Sequence, residues 1–211
     1  MPIEEPLSPL EALTTRVLRN FPRAAWRKML LQPYREVMHF EAITGTLLHA
    51  TAGSPGWSAD AGAQAEIAFL AATHLGELDS CPPSTALVRF DDALAALEMA
   101  HEMQSLACDA RFQVGLASGP CTLVTLRIEG QVLRVLVGEA VERAEAVAGL
   151  ATPGSIRFAP ETYAEVQDIV GGMANWMVTS EFDGETMTAA SLTLPPRRNA
   201  QLSTFAGLGL T

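Results

Sequence analysis

The stretch Val137-Gly138-Glu139-Ala140-Val141-Glu142-Arg143-Ala144-Glu145-Ala146-Val147, followed by Thr152-Pro153-Gly154-Ser155-Ile156, decides how the rest of the chain is read. A β-rich run, Gln131 to Val137, ends at a glycine, and the residues from Gly138 to Ala148 turn helical. Thr152-Pro153-Gly154 makes a turn and Ser155 to Phe158 a strand. Pro160 to Ile169 is a short helix with proline in its first turn, where the missing N–H costs no bond.

Working outward, Cys121 to Ile128 and Gln131 to Val137 are joined at Glu129-Gly130 as a hairpin. Arg111 to Ala117 alternates like a strand and ends in Ser118-Gly119-Pro120. Asp91 or Asp92 caps a helix through Leu94, Leu97, Met99, Ala100 and Met103. Leu78 to Ser80 and Ala86 to Phe90 form a hairpin around Cys81-Pro82-Pro83-Ser84, preceded by an alanine-rich helix from Asp60 to His74 that Gly76 stops. Residues 51–58 read as loop, Glu36 to Phe40 as a short strand leading into Ile43-Thr44-Gly45. Trp176 to Phe182 and Glu185 to Leu192 make a last hairpin around Asp183-Gly184. This order predicts an α+β fold around a mainly antiparallel sheet. Residues 1–34 read as an N-terminal helical arm in two pieces joined near Pro22, 35–194 as the domain, and 195–211 as a tail opened by Pro195-Pro196.

The 211 residues carry 14 Lys+Arg against 24 Asp+Glu, and the sign is unevenly spread. Residues 1–35 hold six of the basic side chains and three acids, whereas residues 36–194 hold six arginines, no lysine and 21 acids. A body of that charge repels a nucleic-acid backbone and suits a triphosphate poorly, so no nucleic-acid partner is expected, and membrane contact through the basic arm is a minor expectation. Cys81, Cys108 and Cys121 form no CxxC pair, and the N-terminus lacks a signal-peptide pattern, which together point to a reducing cytoplasm. His39, His49, His74 and His101 show no metal-ligand spacing, so structural or surface roles are expected of them.

The quoted stretch, with Pro153-Gly154-Ser155-Ile156 and Pro160-Glu161-Thr162-Tyr163, resembles the class III adenylate/guanylate cyclase catalytic domain. Val114-Gly115-Leu116-Ala117-Ser118-Gly119 is similar to that family's Ile-Gly-x-His-x-Gly strand end, and Arg89-Phe90-Asp91-Asp92 with the helix after it to the segment following its central hairpin. Phe40-Glu41-Ala42-Ile43-Thr44-Gly45-Thr46 is similar to its Phe-x-Asp-Ile-x-Gly-Phe. The likeness spans roughly residues 35–194 and implies a ferredoxin-like βαββαβ core of the nucleotide cyclase type.

In that family two aspartates hold two metal ions over the triphosphate, a lysine and an acid read the purine, and an asparagine and an arginine steady the ribose and transition-state charge. By this resemblance the first metal aspartate falls on Ala42 and the second on Ser84, with Asp79 nearby. The purine-reading lysine has no counterpart, since Lys28 lies in the arm. Glu142 stands for the asparagine and Ala146 for the arginine, while Arg143 is about 100° round the helix from the position next to it. Glu139 is the single polar position of the nucleotide cleft that still matches. No catalytic residue, metal or cofactor is therefore expected. The reading is a degenerate cyclase-like domain, not an enzyme, acting as a homodimer that regulates a protein partner or senses a small ligand. Two alternatives stand beside it: an active cyclase using displaced carboxylates such as Glu41, Asp79 and Glu139, and an unrelated α+β scaffold.

Overall fold

The computed structural model describes residues 37–52, 61–80, 85–106, 112–128, 131–171, 175–182 and 185–193; the arm, the tail, Cys81, Cys108, Ser84, Trp26 and Trp57 lie outside them. The elements run β1 (Val37–Ala52), α1 (Ala61–Thr73), β2 (Glu77–Ser80), β3 (Thr85–Phe90), α2 (Ala93–Leu106), β4 (Phe112–Ile128), β5 (Gln131–Val137), α3 (Glu139–Gly149), β6 (Ser155–Phe158), α4 (Pro160–Val170), β7 (Asn175–Phe182) and β8 (Glu185–Thr193). The eight strands form one sheet in the order β2-β3-β1-β4-β6-β8-β7, with β5 also paired to β4. β4 and β6 are parallel. The other described pairings are antiparallel, and β1-α1-β2-β3-α2-β4 is the ferredoxin-like core expected from the sequence.

Two strands are longer than the sequence reading gave. β1 runs on through Thr51 and Ala52, and β4 passes through Ser118-Gly119-Pro120 without a break, so the two pair continuously from Val37–Arg127 to Ala52–Phe112. Pro120 is tolerated because it falls between the β4 residues that pair with β6, which end at Leu116, and those that pair with β5, which begin at Thr122.

Strand alternation divides the sheet into two faces. One face carries Leu48, Ala50, Val88, Phe90, Val114, Leu116, Ile156 and Phe158, covered by α1, α2 and α4. The other carries Leu47, Leu87, Ala117, Cys121, Leu123 and Leu136, covered by the small residues Ala140, Ala144 and Val147 of α3. Gly138 (φ 126) turns the chain from β5 into α3, and Gly115 lets α3 lie close on β4.

Helix ends follow local chemistry. Asp92 rather than Asp91 caps α2, its carboxylate accepting from the Leu94 N–H at 3.2 Å and the Ala95 N–H at 3.3 Å. Asp91 instead pairs with Arg89 at 2.6 Å. Asp92→Ala is expected to cost about 1 kcal/mol of unfolding free energy in urea titration, with Asp91→Ala costing less than half of that. At the end of α1 it is Leu75 (φ 58), not Gly76, that takes the left-handed conformation. Gly76 is required for a different reason: a Cβ there would lie 2.5 Å from the Phe90 ring.

Candidate functional site

The face covered by α3 is the one on which a cyclase-like site would be built, because α3 carries Glu139, Glu142 and Ala146. Two residues holding one pair of metal ions must sit side by side, which the strand register tests directly. The β2–β3 connection, residues 81–84, lies outside the described residues, but the residue that follows it, Thr85, pairs with Thr51 of β1. Ala42 pairs with Thr122 at the other end of β1, beyond the last residue that β3 reaches, Thr46. Nine residues of strand, about 30 Å, separate Ala42 from Thr51. The Phe40–Thr46 motif is therefore out of position for the role its resemblance implied. The same step of three residues to a glycine recurs from Ala50 to Gly53, at the end of β1 nearest the turn. Ala50, Thr51 and Ala52 occupy that end, and none offers a carboxylate to a hard divalent cation.

Its one ionisable group is His49, on the α3 side of β1 between Leu87 and Gly115. Its Nδ1 is buried without a hydrogen-bond partner, and burial holds its pKa below the ordinary value against the opposing pull of Glu145. Beyond Gly115 in the same cross-strand row lies Arg157 of β6, 7% exposed, with Nε and Nη1 also unpartnered. Burial lowers its pKa as well. α3 thus sits over Gly115 between a half-buried imidazole and a buried guanidinium; the sequence assigns His49 only a structural or surface role and does not single out Arg157, and it is their place opposite glycine in the register that marks them.

The three displaced carboxylates do not assemble. Glu41 is exposed on β1. Glu139, at the first turn of α3, is ion-paired with Arg143, which also reaches Glu161 of α4 at 2.6 Å. Arg143 thus ties α3 to α4. Asp79 lies apart, in a bulge of β2 where the register to β3 shifts. Among the described residues no three His, Cys, Asp or Glu side chains are placed to hold a metal ion. His74 bridges α1 to Glu102 of α2 at 2.8 Å, a structural contact. The Cys121 thiol is buried, which pushes its pKa up and away from reactivity.

Asp79 borders a small concavity together with Ile43, Glu77, Leu78, Arg89, Leu123, Arg134 and Leu136. Glu77 meets its cross-strand partner Arg89 at 3.4 Å, and although β2 and β5 are separated by three strands the sheet curls enough here for it also to reach Arg134 at 3.7 Å. The Asp79 carboxylate accepts the backbone N–H of Leu136, and its Oδ2 is buried with no partner. Burial raises its pKa to about 6, against the pull of that hydrogen bond and of Arg134.

The fold is similar to that of solved nucleotide cyclase catalytic domains. The catalytic core of a rhodopsin-guanylyl cyclase with converted specificity, in complex with ATPalphaS, superposes with a TM-score of 0.61 at 16% identity, covering 77% of this chain and 100% of that one. The chain has the class III nucleotide cyclase fold. The guanylyl cyclase Cya2 matches with a TM-score of 0.61 at 19% identity over 75% of this chain and 96% of its own. The adenylyl cyclase CyaB from P. aeruginosa gives 0.56 at 16% over 75% and 98%. No sequence-family model matches the chain, and no curated protein does. Among the described residues no helix is long and apolar enough to cross a membrane.

Proposed function

We propose that this cyclase-fold domain works by association rather than by catalysis, as a homodimer that regulates a partner protein or senses a small ligand. The observation that carries this reading is the end of β1 beside the β2–β3 turn, where Ala50, Thr51 and Ala52 stand and a two-metal clamp would need carboxylate. Glu142 and Ala146 on α3 support it: the first puts an anion where phosphate charge would gather, and the second removes a guanidinium. A closed two-fold pair is the commonest form of a soluble homo-oligomer, and the neighbouring structures include a non-canonical dimeric guanylyl cyclase domain beside two printed as monomeric.

Thermal unfolding with ATP, GTP and their cyclic products, each with excess Mg²⁺ or Mn²⁺, tests the first half. A ligand at one hundred times its Kd adds about 2.7 kcal/mol, so a bound nucleotide would raise Tm by several degrees. No metal-dependent shift is expected, and such a shift accompanied by turnover would overturn the reading. Sedimentation at tens of micromolar tests the second half, where a monomer would argue against association.

A further inference from the structure

The sheet face opposite α3 continues past the core formed with α1, α2 and α4. β1 and β4 stay in register there, so rows Met38–Leu126–Leu133 and Phe40–Val124–Val135 lie on the same face as Leu48 and Leu116. Val124 and Leu126 are each 0% exposed and Val135 is 4% exposed, yet none of the three belongs to either core cluster of the described residues. α4 does not account for this. Its first turn meets β4 at Ser118, where Thr162 accepts the Ser118 N–H at 2.7 Å, and it then runs toward the first core through Val166 and Val170. Eight residues of strand, about 26 Å, lie between Ser118 and Leu126.

We propose that residues 1–36 of the same chain cover this face, with the apolar stripe Leu10, Leu13, Val17, Leu18, Phe21 and Met29 against Val124, Leu126 and Val135. The segment enters the sheet at Val37, which pairs with Arg127 at the tip of this end. The tail follows Thr193, which pairs with Ser155 at the opposite end of the sheet, and residues 53–60, 81–84 and 107–111 also adjoin that opposite end. The other undescribed stretches, 129–130, 172–174 and 183–184, are two or three residues each. Charge complements the fit, because residues 1–36 have an excess of two basic residues and residues 37–194 an excess of 14 acids.

A double-mutant cycle in the full chain, read as Tm, tests this. Leu126→Ala alone and Val17→Ala with Phe21→Ala are each expected to lower Tm by on the order of 10 °C. Combined, they are expected to lose at least about 2 °C less than the sum, since they remove two sides of one contact. Additive losses, or arm substitutions that leave Tm unchanged, would overturn the proposal. Should Leu126→Ala fail to fold, hydrogen exchange of the unmodified chain decides: slow exchange over 10–31 is expected, and unprotected amides there would overturn it. Coupling or protection that disappears on dilution to monomer would overturn the same-chain assignment in favour of a second copy's arm.

Discussion

Gly115→Ala is expected to unfold this domain more readily than any other one-methyl change in the sheet. A Cβ at Gly115 would lie 2.2 Å from the carbonyl oxygen of Ala144, 2.3 Å from the backbone N of Ala148 and 2.9 Å from its Cα. Those atoms are helix backbone, so no side-chain rotation relieves the clash and α3 must lift as a unit. Lifting it exposes the core shared by Ala140, Ala144 and Val147 with Leu47, Ala117 and Leu123. Overpacking with a flexible neighbour costs 1–3 kcal/mol; against backbone the cost is expected at the top of that range or above, about 3 kcal/mol or more. Urea titration would show it as a lower midpoint at unchanged slope. A loss under about 1 kcal/mol would mean that α3 is not seated on β4 as described.

Asp79→Asn is expected to stabilise the protein above pH 6 and to do little near pH 4. The folded carboxyl titrates near 6, above its ordinary value of 3.8, so the folded state holds the proton more tightly than the unfolded chain. That stabilising contribution is complete below about pH 4 and is lost as pH rises through 6, by roughly 3 kcal/mol in all. Asparagine keeps an oxygen for the Leu136 N–H and never ionises. At pH 8 its Tm should exceed that of the unmodified chain by roughly 5–10 °C, with the two curves converging toward pH 4. Parallel curves would show that Asp79 is not the titrating group.

The frame was legible because its signals are local. Glycine at the strand-to-helix turn, proline opening α4, the small residues of α3 and the acid capping α2 each fix a piece of backbone by short-range sterics or hydrogen bonding. The site was harder because it depends on which residue of β1 stands beside the β2–β3 turn. Ala42 and Ala50 are each three residues before a glycine, and only the register of β1 against β3, a strand more than 30 residues away, tells them apart. His49 and Arg157 were silent for a related reason: each is ordinary in its own segment and unusual only for the partners it lacks after burial. For Arg143, helical geometry gave only a place about 100° round α3 from Glu142; its ion pairs with Glu139 and Glu161 needed the packing of α3 beside α4.

The long ladder between β1 and β4 also sets the order in which this chain can become a protein. Its pairs join residues between 60 and 90 positions apart, from Ala52–Phe112 to Val37–Arg127. As the chain leaves the ribosome, Thr46–Thr51 can pair with β3 once the hairpin is made, but Val37–Gly45 must wait unpaired until two helices and most of β4 have followed. Such non-local pairing closes slowly, because the loop entropy is lost before the ladder returns any bonding. During that interval β1 is the segment most open to holdases and to strand pairing with another nascent copy.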